Sequence, residues 1–460
     1  MLKEEDIMID KKHIYQILEE ANNPTLEEID QVIQKAAKRQ QLSLHEIAVL
    51  LNAENSLQLN KIYQVAGQIK EEIYGERVVM FAPLYISNFC VNNCKYCGYR
   101  RDNHFTRKKL SYEAIKEQAK QLEKLGHKRL ALECGEDPKQ TAIDYVVNAI
   151  KMIYEHSSIR RINVNIAATT IEDYKKLLNV GIGTYILFQE TYDKDAYYDQ
   201  HPSSLKGDYD YHLHAFDRAF EAGIDDVGAG VLFGLSDWKF EVMALITHNR
   251  YLEDKYGVGF HTISVPRLKK AEGMSLEDYP HMVSDEEFKR LVTILRLSVP
   301  YVGMILSTRE PINIRSELIE HGISQVSAGS KTDVGGYHDD SSHHEPDQFE
   351  LSDERSVLEV NKALMDKGHI PSYCTACYRN GRTGDRFMRL AKSGKIGHIC
   401  EPNALMTLTE YIMDYGDDTL KKEGLEFVRN HANNIKHVTV KNKLLTNIDR
   451  IIQGERDLFF

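Results

Sequence analysis

An alternation of short apolar segments with longer amphipathic segments, between residues 78 and 330, constrains the fold more than any other feature of the chain. The short segments are rich in β-branched residues and have the length of buried strands. We predict eight strands, at Val78–Ser87, Arg129–Cys134, Ile162–Ala168, Thr184–Glu190, Asp226–Leu235, Phe260–Pro266, Val302–Ser307 and Gln325–Ala328. Periodicity predicts helices at Ser111–Leu125, Asp208–Ala222, Ser236–Leu252, Asp285–Leu297 and Ile314–His321.

Strand-then-helix units of this kind predict an α/β fold with a parallel sheet, because a parallel connection needs a crossover segment. Eight units close a TIM-type (β/α)8 barrel, which we predict; an open doubly wound sheet is the alternative. We expect N-terminal helices before the barrel and a mostly helical C-terminal extension after it, with domains at residues 1–77, 78–350 and 351–460. The polar stretch Gly329–Phe349 predicts a solvated loop, with a small histidine-rich metal site as the alternative.

Charge and hydrophobicity argue against several classes of protein. The net charge of −11 argues against a nucleic-acid partner, since phosphate binding needs a concentrated basic surface. Apolar runs such as Ile182–Phe188 are far shorter than the roughly 20 residues of a membrane span, so we expect no membrane partner. The acidic N-terminal sequence lacks the basic start of a signal peptide, which predicts a cytoplasmic location.

The seven cysteines, an odd number, do not suggest a disulfide framework in a cytosolic chain of this size. Cys90, Cys94 and Cys97 have the spacing C-x3-C-x2-C directly after the first predicted strand. Three thiolates predict a [4Fe–4S] cluster whose fourth iron is open to another ligand. A structural zinc site completed by His104 is the alternative.

The second group, Cys374, Cys377 and Cys400, has the spacing C-x2-C-x22-C in the C-terminal extension. Because no fourth cysteine is available, a second three-thiolate cluster is predicted, with a zinc site completed by His398 as the alternative. Zinc at both groups would indicate a metal-stabilised binding protein, a hypothesis of a different class. Cys134 stands alone, and we predict that it is a buried, inert thiol.

The first cysteine loop, with Tyr96 before its last cysteine, resembles that of the radical S-adenosylmethionine (SAM) superfamily. The resemblance implies that the amino and carboxylate groups of SAM chelate the open iron, and that one electron cleaves SAM to methionine and a 5′-deoxyadenosyl radical. It points to SAM-binding roles for five polar residues on or just after predicted strands and for one in the helix that follows the fourth strand: Glu136, Asn163, Asn165, Glu190 and Arg267, and Arg218. For each of these residues alone, packing or a surface charge is the alternative interpretation.

Three further segments, Gln189–Tyr192, Leu306–Glu310 and Ser327–Thr332, resemble the aromatic amino acid lyase branch of that superfamily. The context of the second cysteine group is similar to that of the tyrosine lyases that mature [FeFe]-hydrogenase. The tyrosine lyase of thiamine thiazole synthesis, 2-iminoacetate synthase, lacks this group and is the alternative function. Both resemblances imply an enzyme, a radical carbon–carbon lyase that acts on tyrosine.

The hydrogenase resemblance implies that the Cα–Cβ bond of tyrosine breaks to give p-cresol and dehydroglycine, and that dehydroglycine becomes CO and cyanide within an iron–carbonyl–cyanide unit. We expect Arg309 to bind the substrate carboxylate, which a guanidinium matches bidentately, with help from Ser327; a barrel-rim ion pair is the alternative. The resemblance implies that His261 holds an additional iron on the second cluster, the alternative being a structural histidine. Implied partners are tyrosine, SAM, a reductant such as ferredoxin or flavodoxin, and hydrogenase maturation proteins.

Overall fold

A closed barrel of eight parallel strands forms the centre of the computed structural model, which describes residues 8–337, 348–393 and 395–460. The strands are β1 (Arg77–Ser87), β2 (Arg129–Cys134), β3 (Arg161–Asn165), β4 (Tyr185–Glu190), β5 (Val227–Val231), β6 (Thr262–Ser264), β7 (Gly303–Leu306) and β8 (Gln325–Ser327). They pair in sequence order, and β8 pairs with β1. The (β/α)8 prediction is therefore confirmed, and the open-sheet alternative is wrong.

The helices surround the outside of the barrel. Four helices precede the barrel: α1 (Lys11–Glu20), α2 (Leu26–Ala37), α3 (Leu44–Leu51) and α4 (Ser56–Tyr74). Those between strands are α5 (Tyr112–Lys124), α6 (Ile143–His156), α7 (Ile171–Val180), α8 (Lys194–Gln200), α9 (Tyr209–Leu213), α10 (Ala215–Glu221), α11 (Trp238–Tyr256), α12 (Asp285–Ser298) and α13 (Ile312–His321). The single helix predicted over Asp208–Ala222 is two helices, because His214 leaves the helical conformation between them.

The C-terminal extension is mostly helical, as predicted, and also adds one strand to the sheet. Its elements are α14 (Val357–Met365), β9 (Ile370–Ser372), α15 (Ala376–Arg379), α16 (Gly384–Lys392), α17 (Gly397–Tyr415), α18 (Asp418–Asn434) and α19 (Val438–Ile452). β9 pairs in parallel with Arg77–Val79, the first residues of β1, whereas β2 pairs with the later part of that strand. The extension is thereby attached to the end of the barrel where the strands begin.

The two cysteine groups consequently lie at opposite ends of the barrel. The first group follows Ser87, at the carboxyl end of β1, which we call the upper end. The second group begins just after β9, at the amino end of β1, which we call the lower end. Residues 338–347 of the predicted polar loop lie outside the described residues, and the domain limits stay a prediction. Within the described ranges, no helix combines the length and apolar character needed to cross a membrane.

Candidate active site

A cavity of about 220 Å³ lies at the upper end of the barrel, where TIM-type barrels place their active sites. We call it the upper cavity. Eight residues predicted from the sequence line it: Cys90, Cys94, Cys97, Glu136, Asn165, Glu190, Arg309 and Ser327. The cavity therefore brings the first cysteine group together with candidate ligands from five strands or the loops that follow them.

The loop that carries the first cysteine group is held by Arg107. Its guanidinium donates hydrogen bonds to the carbonyl oxygens of Asn88, at 2.8 Å, and Tyr99, at 2.7 Å, on either side of the cysteines. Gly135, just after β2, lies against the same loop, where a Cβ atom would be 2.3 Å from the Phe89 carbonyl oxygen. Since no side chain fits in that distance, glycine at this position allows the loop to lie directly on the strand end.

Asn92, within the cysteine loop, connects two other walls of the upper cavity. Its Nδ2 donates to Glu136 Oε2 at 2.5 Å, and its Oδ1 accepts from the backbone N–H of Lys206 at 3.0 Å. Burial raises the pKa of Glu136 above its ordinary value, while the bond from Asn92 opposes that rise. The Glu136 carboxyl is thus fixed at the cavity wall beside the cysteines.

Glu190 ends β4 with a φ of 68°. This left-handed backbone conformation is rare for residues other than glycine. The pairing of β4 with β5 shifts register at this residue, and its carboxylate accepts a 2.6 Å bond from Lys206 Nζ. Burial opposes the ammonium charge, but Glu190 and the neighbouring Cys94 raise the pKa of Lys206 above its ordinary value. Strained backbone of this kind concentrates at ligand sites. Sequence reasoning missed Lys206, which lies in a polar loop with no distinguishing pattern.

Glu133, on β2, also lines the upper cavity and was not among the predicted residues. Burial raises the pKa of its carboxyl to about 7, against the opposing effects of the nearby polar groups of Tyr85 and Asn165 and of the Arg309 charge. A cavity carboxyl that titrates near neutral pH is a candidate proton acceptor. The only signal in the sequence was an acidic residue inside an apolar strand, which is unusual because carboxylates are rarely buried unless they are paired.

Arg309 follows β7 and directs its guanidinium into the upper cavity, over the ring of Phe349 at 3.3 Å from the ring centroid. Over the ranges that the structure describes, no carboxylate forms an ion pair with it. Burial lowers its pKa, an effect that the nearby Tyr85 and Glu190 oppose. Ser327 lines the same wall, and its Oγ accepts from the backbone N–H of Thr308 at 3.2 Å.

Three of the predicted SAM-binding residues do not line the upper cavity. Asn163 Oδ1 accepts from the backbone N–H of Thr184 at 3.1 Å, at the start of β4. Arg218 donates to three backbone carbonyl oxygens. Arg267 forms a buried bidentate pair with Glu310. These hydrogen bonds and ion pairs are made within the protein, and none of the three side chains lines the upper cavity.

The lower end of the barrel holds a second cavity, of about 50 Å³, which we call the lower cavity. Its lining includes all four residues predicted for the second metal centre: Cys374, Cys377, Cys400 and His261. Arg77 and Arg129 contribute positive charge to the same wall. The neighbouring Cys400 and the charge of Arg382 lower the pKa of Cys377 below its ordinary value, against the effect of burial. Cationic surroundings of this kind favour a thiolate, the form that binds metal.

His261 reaches the lower cavity from the residue before β6. Its ring stacks on Phe387 at 4.1 Å between centroids. Its Nδ1 lies 3.1 Å from Asp226 Oδ2, although the two are not aligned as a hydrogen bond. A carboxylate beside one imidazole nitrogen is the usual arrangement of a histidine whose other nitrogen binds a metal.

The donor sets of both cavities fit clusters held by three thiolates. Among the residues placed by the structure, no three His, Cys, Asp or Glu side chains are positioned to share one metal ion. Sulfurs that bind different irons of one cluster need not converge on a single point. His104 and His398, the alternative zinc ligands, are exposed and line neither cavity. Cys134 lines the upper cavity, and burial raises its pKa to about 12.

Two family profiles match the chain. That of the radical SAM superfamily matches residues 84–245, and that of the Biotin and Thiamin Synthesis associated domain matches residues 264–370. A curated relative, the 2-iminoacetate synthase of Escherichia coli (strain K12), is 32% identical over 341 residues, which cover 74% of this chain and 89% of that protein.

Two solved structures extend the similarity to nearly the whole chain. The crystal structure of HydG, a maturase of the [FeFe]-hydrogenase, superposes with a TM-score of 0.96 and 53% identity, covering 98% of this chain and 100% of that chain. HydG from Carboxydothermus hydrogenoformans, an FeFe-hydrogenase maturase, gives a TM-score of 0.85 and 40% identity, covering 95% and 97%. The chain therefore belongs to the radical SAM superfamily and, within it, to the HydG family.

Proposed function

We propose that this enzyme cleaves the Cα–Cβ bond of tyrosine, with SAM as the radical source, to give p-cresol and dehydroglycine. Dehydroglycine is converted to CO and cyanide, which leave as an iron–carbonyl–cyanide unit for the active-site cluster of [FeFe]-hydrogenase. The observation that carries the proposal is the second three-thiol cavity, at the end of the barrel opposite the radical site.

The extent of the similarity favours this function over the thiazole-pathway alternative. HydG covers 98% of this chain, a share that includes the C-terminal extension with its cysteine group. The 2-iminoacetate synthase covers 74% of the chain. A lyase that only released p-cresol and an imino acid would have no use for a second group of thiols joined to the barrel by β9.

The upper cavity supports the first half of the proposed reaction. A [4Fe–4S] cluster with SAM, when bound at Cys90, Cys94 and Cys97, supplies the radical that removes a hydrogen atom from the substrate. The Lys206–Glu190 pair offers a positive charge to the carboxylate of SAM and a negative charge to its amino group. Arg309 binds the carboxylate of tyrosine through two parallel N–H···O bonds.

The lower cavity supports the second half of the proposed reaction, in which dehydroglycine is converted to CO and cyanide. In the proposal, its three thiolates hold a second [4Fe–4S] cluster, and His261 holds an additional iron attached to that cluster. Arg77 and Arg129 balance the negative charge of the thiolates and attract a negatively charged fragment. A reductant such as ferredoxin or flavodoxin supplies the electron, and hydrogenase maturation proteins receive the product.

Product analysis of the reconstituted enzyme tests the function. The protein is loaded anaerobically with iron and sulfide and incubated with tyrosine, SAM and dithionite. We expect p-cresol, CO trapped by haemoglobin, and cyanide detected after derivatisation. Formation of p-cresol without CO or cyanide would instead support the 2-iminoacetate synthase alternative, and zinc without iron in the purified protein would support the binding-protein hypothesis.

Cys374→Ala separates the two halves of the reaction. The variant lacks a thiolate only in the lower cavity, so SAM cleavage and p-cresol formation should continue while CO release falls below detection. Wild-type protein loaded in parallel is the control, and iron content reports how much cluster each sample holds. Undiminished CO output from the variant would contradict the proposed roles of the two cavities.

A further inference from the structure

Glu133 lies at the centre of a polar row inside the upper cavity. Strand register places Tyr85 of β1 beside Glu133 of β2, and Glu133 beside Asn165 of β3. All three side chains line the cavity, because residues in register on neighbouring strands share a face of the sheet. The Tyr85 hydroxyl and the Asn165 amide lie near the Glu133 carboxyl, and the Tyr85 hydroxyl donates its hydrogen bond to Gln348 Oε1 at 2.8 Å.

The Glu133 carboxyl has acceptor capacity for a ligand, since a carboxylate offers about four lone-pair sites and the Tyr85 hydroxyl donates to Gln348 instead. Arg309 faces the same cavity from the end of β7, close enough for its charge to lower the pKa of Glu133. In the described part of the chain, the two side chains form no ion pair with each other. The cavity thus presents an acceptor and a cation separately, which is complementary to the ammonium and carboxylate of an α-amino acid.

We propose that Glu133 is a further catalytic residue, whose carboxylate binds the ammonium group of the amino acid substrate and accepts its proton. The inference rests on the proposed function. In this step an N–H bond of the ammonium breaks and an O–H bond forms on Glu133. The nitrogen keeps the electron pair, so no oxidant or reductant is needed. The product is a neutral amine, the group from which the proposed reaction removes a hydrogen atom.

The surroundings of Glu133 make this transfer pH-dependent. The titratable and charged groups around its carboxyl are Tyr85 on β1, Cys134 on β2, Arg309 after β7 and Tyr337 after β8. Burial raises the pKa of the carboxyl to about 7. Below that pH the carboxyl is neutral and pairs poorly with an ammonium group, and above it the carboxylate is formed. Affinity for an ammonium-bearing substrate should therefore rise with pH through about 7.

Binding of two matched probes tests the assignment. Tyrosine and 3-(4-hydroxyphenyl)propanoate differ only in the amino group, and calorimetry on the reconstituted, SAM-bound enzyme gives both affinities. We expect the wild type to prefer tyrosine by at least about tenfold, the scale of one charge-assisted bond. Glu133→Gln should bring the ratio close to one, and Glu133→Asp should restore part of it. Glu253→Gln, the same change outside the cavity, should leave the ratio unchanged.

The wild type alone provides a second test that does not depend on the folding of a variant. The preference for tyrosine should decrease as the pH falls from 8 to 6, while the affinity of the desamino probe stays nearly constant. A preference that persists in Glu133→Gln, or that is flat across this pH range, overturns the assignment. The same preparations are assayed for p-cresol. Absence of p-cresol from the wild type refutes the proposed function, whereas p-cresol formation with an unchanged binding ratio refutes only the role of Glu133.

Discussion

Arg309 and Arg267 carry the same guanidinium group but differ in what that group contacts. Arg309 faces the upper cavity and packs on an aromatic ring, whereas Arg267 is buried in a bidentate pair with Glu310 and contacts Asp285 at 2.8 Å. A guanidinium whose donors are bound within the protein must lose those bonds before it can bind a ligand. Because its guanidinium faces the cavity without such bonds to the described residues, Arg309 is the stronger candidate to bind the substrate carboxylate.

Lysine substitutions at these two positions should have opposite effects. Arg309→Lys keeps the charge but loses the bidentate geometry, so tyrosine affinity should fall roughly 10- to 100-fold, or about 1.5–3 kcal/mol, with little change in melting temperature. Arg267→Lys should lower the free energy of unfolding by about 1–3 kcal/mol and leave tyrosine affinity unchanged. Calorimetric titration and thermal melts measure both. Equal loss of affinity in the two variants would contradict this assignment.

Among single residues, the sequence predicted those that belong to a spaced motif or follow a strand. All six grouped cysteines line the cavity expected for them, and Glu136 and Glu190 lie where strands end. Lys206 and Glu133 were missed because neither belongs to a motif, and their importance depends on which distant groups the fold brings beside them. Arg218 was selected for its charge, but its donors bind two nearby backbone oxygens and the distant carbonyl oxygen of Thr169, which only the tertiary structure brings beside it.

At the scale of elements, the strands could be predicted because apolar, β-branched runs mark them. The residues at which the strands begin and end could not be predicted. The fifth strand was predicted over Asp226–Leu235 but is formed by Val227–Val231. Its glycines make room for neighbouring side chains: a Cβ at Gly230 would lie 2.6 Å from Phe188. β9 was not predicted, because three residues that include Pro371 carry no strand pattern, and the strand forms only by pairing with the first residues of β1.

Gly135→Ala tests how closely the cysteine loop lies on the end of β2. The added methyl group would meet the Phe89 carbonyl oxygen, which is backbone and cannot move without moving the loop. We expect about 1–3 kcal/mol of destabilisation, with loss of the iron that binds at the first cysteine group and of SAM cleavage. Iron analysis and 5′-deoxyadenosine assays measure these effects.

Gly181→Ala is the matched control for this change. Gly181 has a φ of 82°, but nothing lies within 4 Å of the added Cβ atom. The control should therefore lower stability by about 1 kcal/mol, through backbone strain alone, without loss of iron. If both alanine variants keep a full complement of iron, the close approach at Gly135 does not position the loop.

At the scale of the whole molecule, the two cavities are separated by the interior of the barrel. The inward-facing residues midway along the strands include Asn163, Gly228 and Thr262, which are small or polar. Thr262 is 2% exposed, and its Oγ1 has no hydrogen-bond partner among the described residues. The same inward face also carries apolar side chains such as Phe81 and Ile305, so a small fragment made in the upper cavity would pass both polar and apolar side chains on its way to the lower cavity.

Enlarging a side chain midway along the barrel should uncouple the two ends. Thr262→Leu adds apolar volume between the cavities, so p-cresol formation should continue while the yield of CO and cyanide per p-cresol decreases several-fold. Thr247→Leu, the same change on α11 outside the barrel interior, should leave the ratio at the wild-type value. Paired quantification of the three products measures it. A constant ratio in both variants would show that the fragment does not cross at this level.

Because β9 pairs with β1, the length of β1 sets the distance between the two cysteine groups. β1 has eleven residues, a length of roughly 36 Å at about 3.3 Å per residue. Its first residues adjoin the segment that leads to the lower thiols, and its last residue leads into the upper cysteine loop. Adding or removing one residue would change that spacing and also turn Tyr85 from the inside of the barrel to the outside. The strand is thus a molecular spacer as well as a wall.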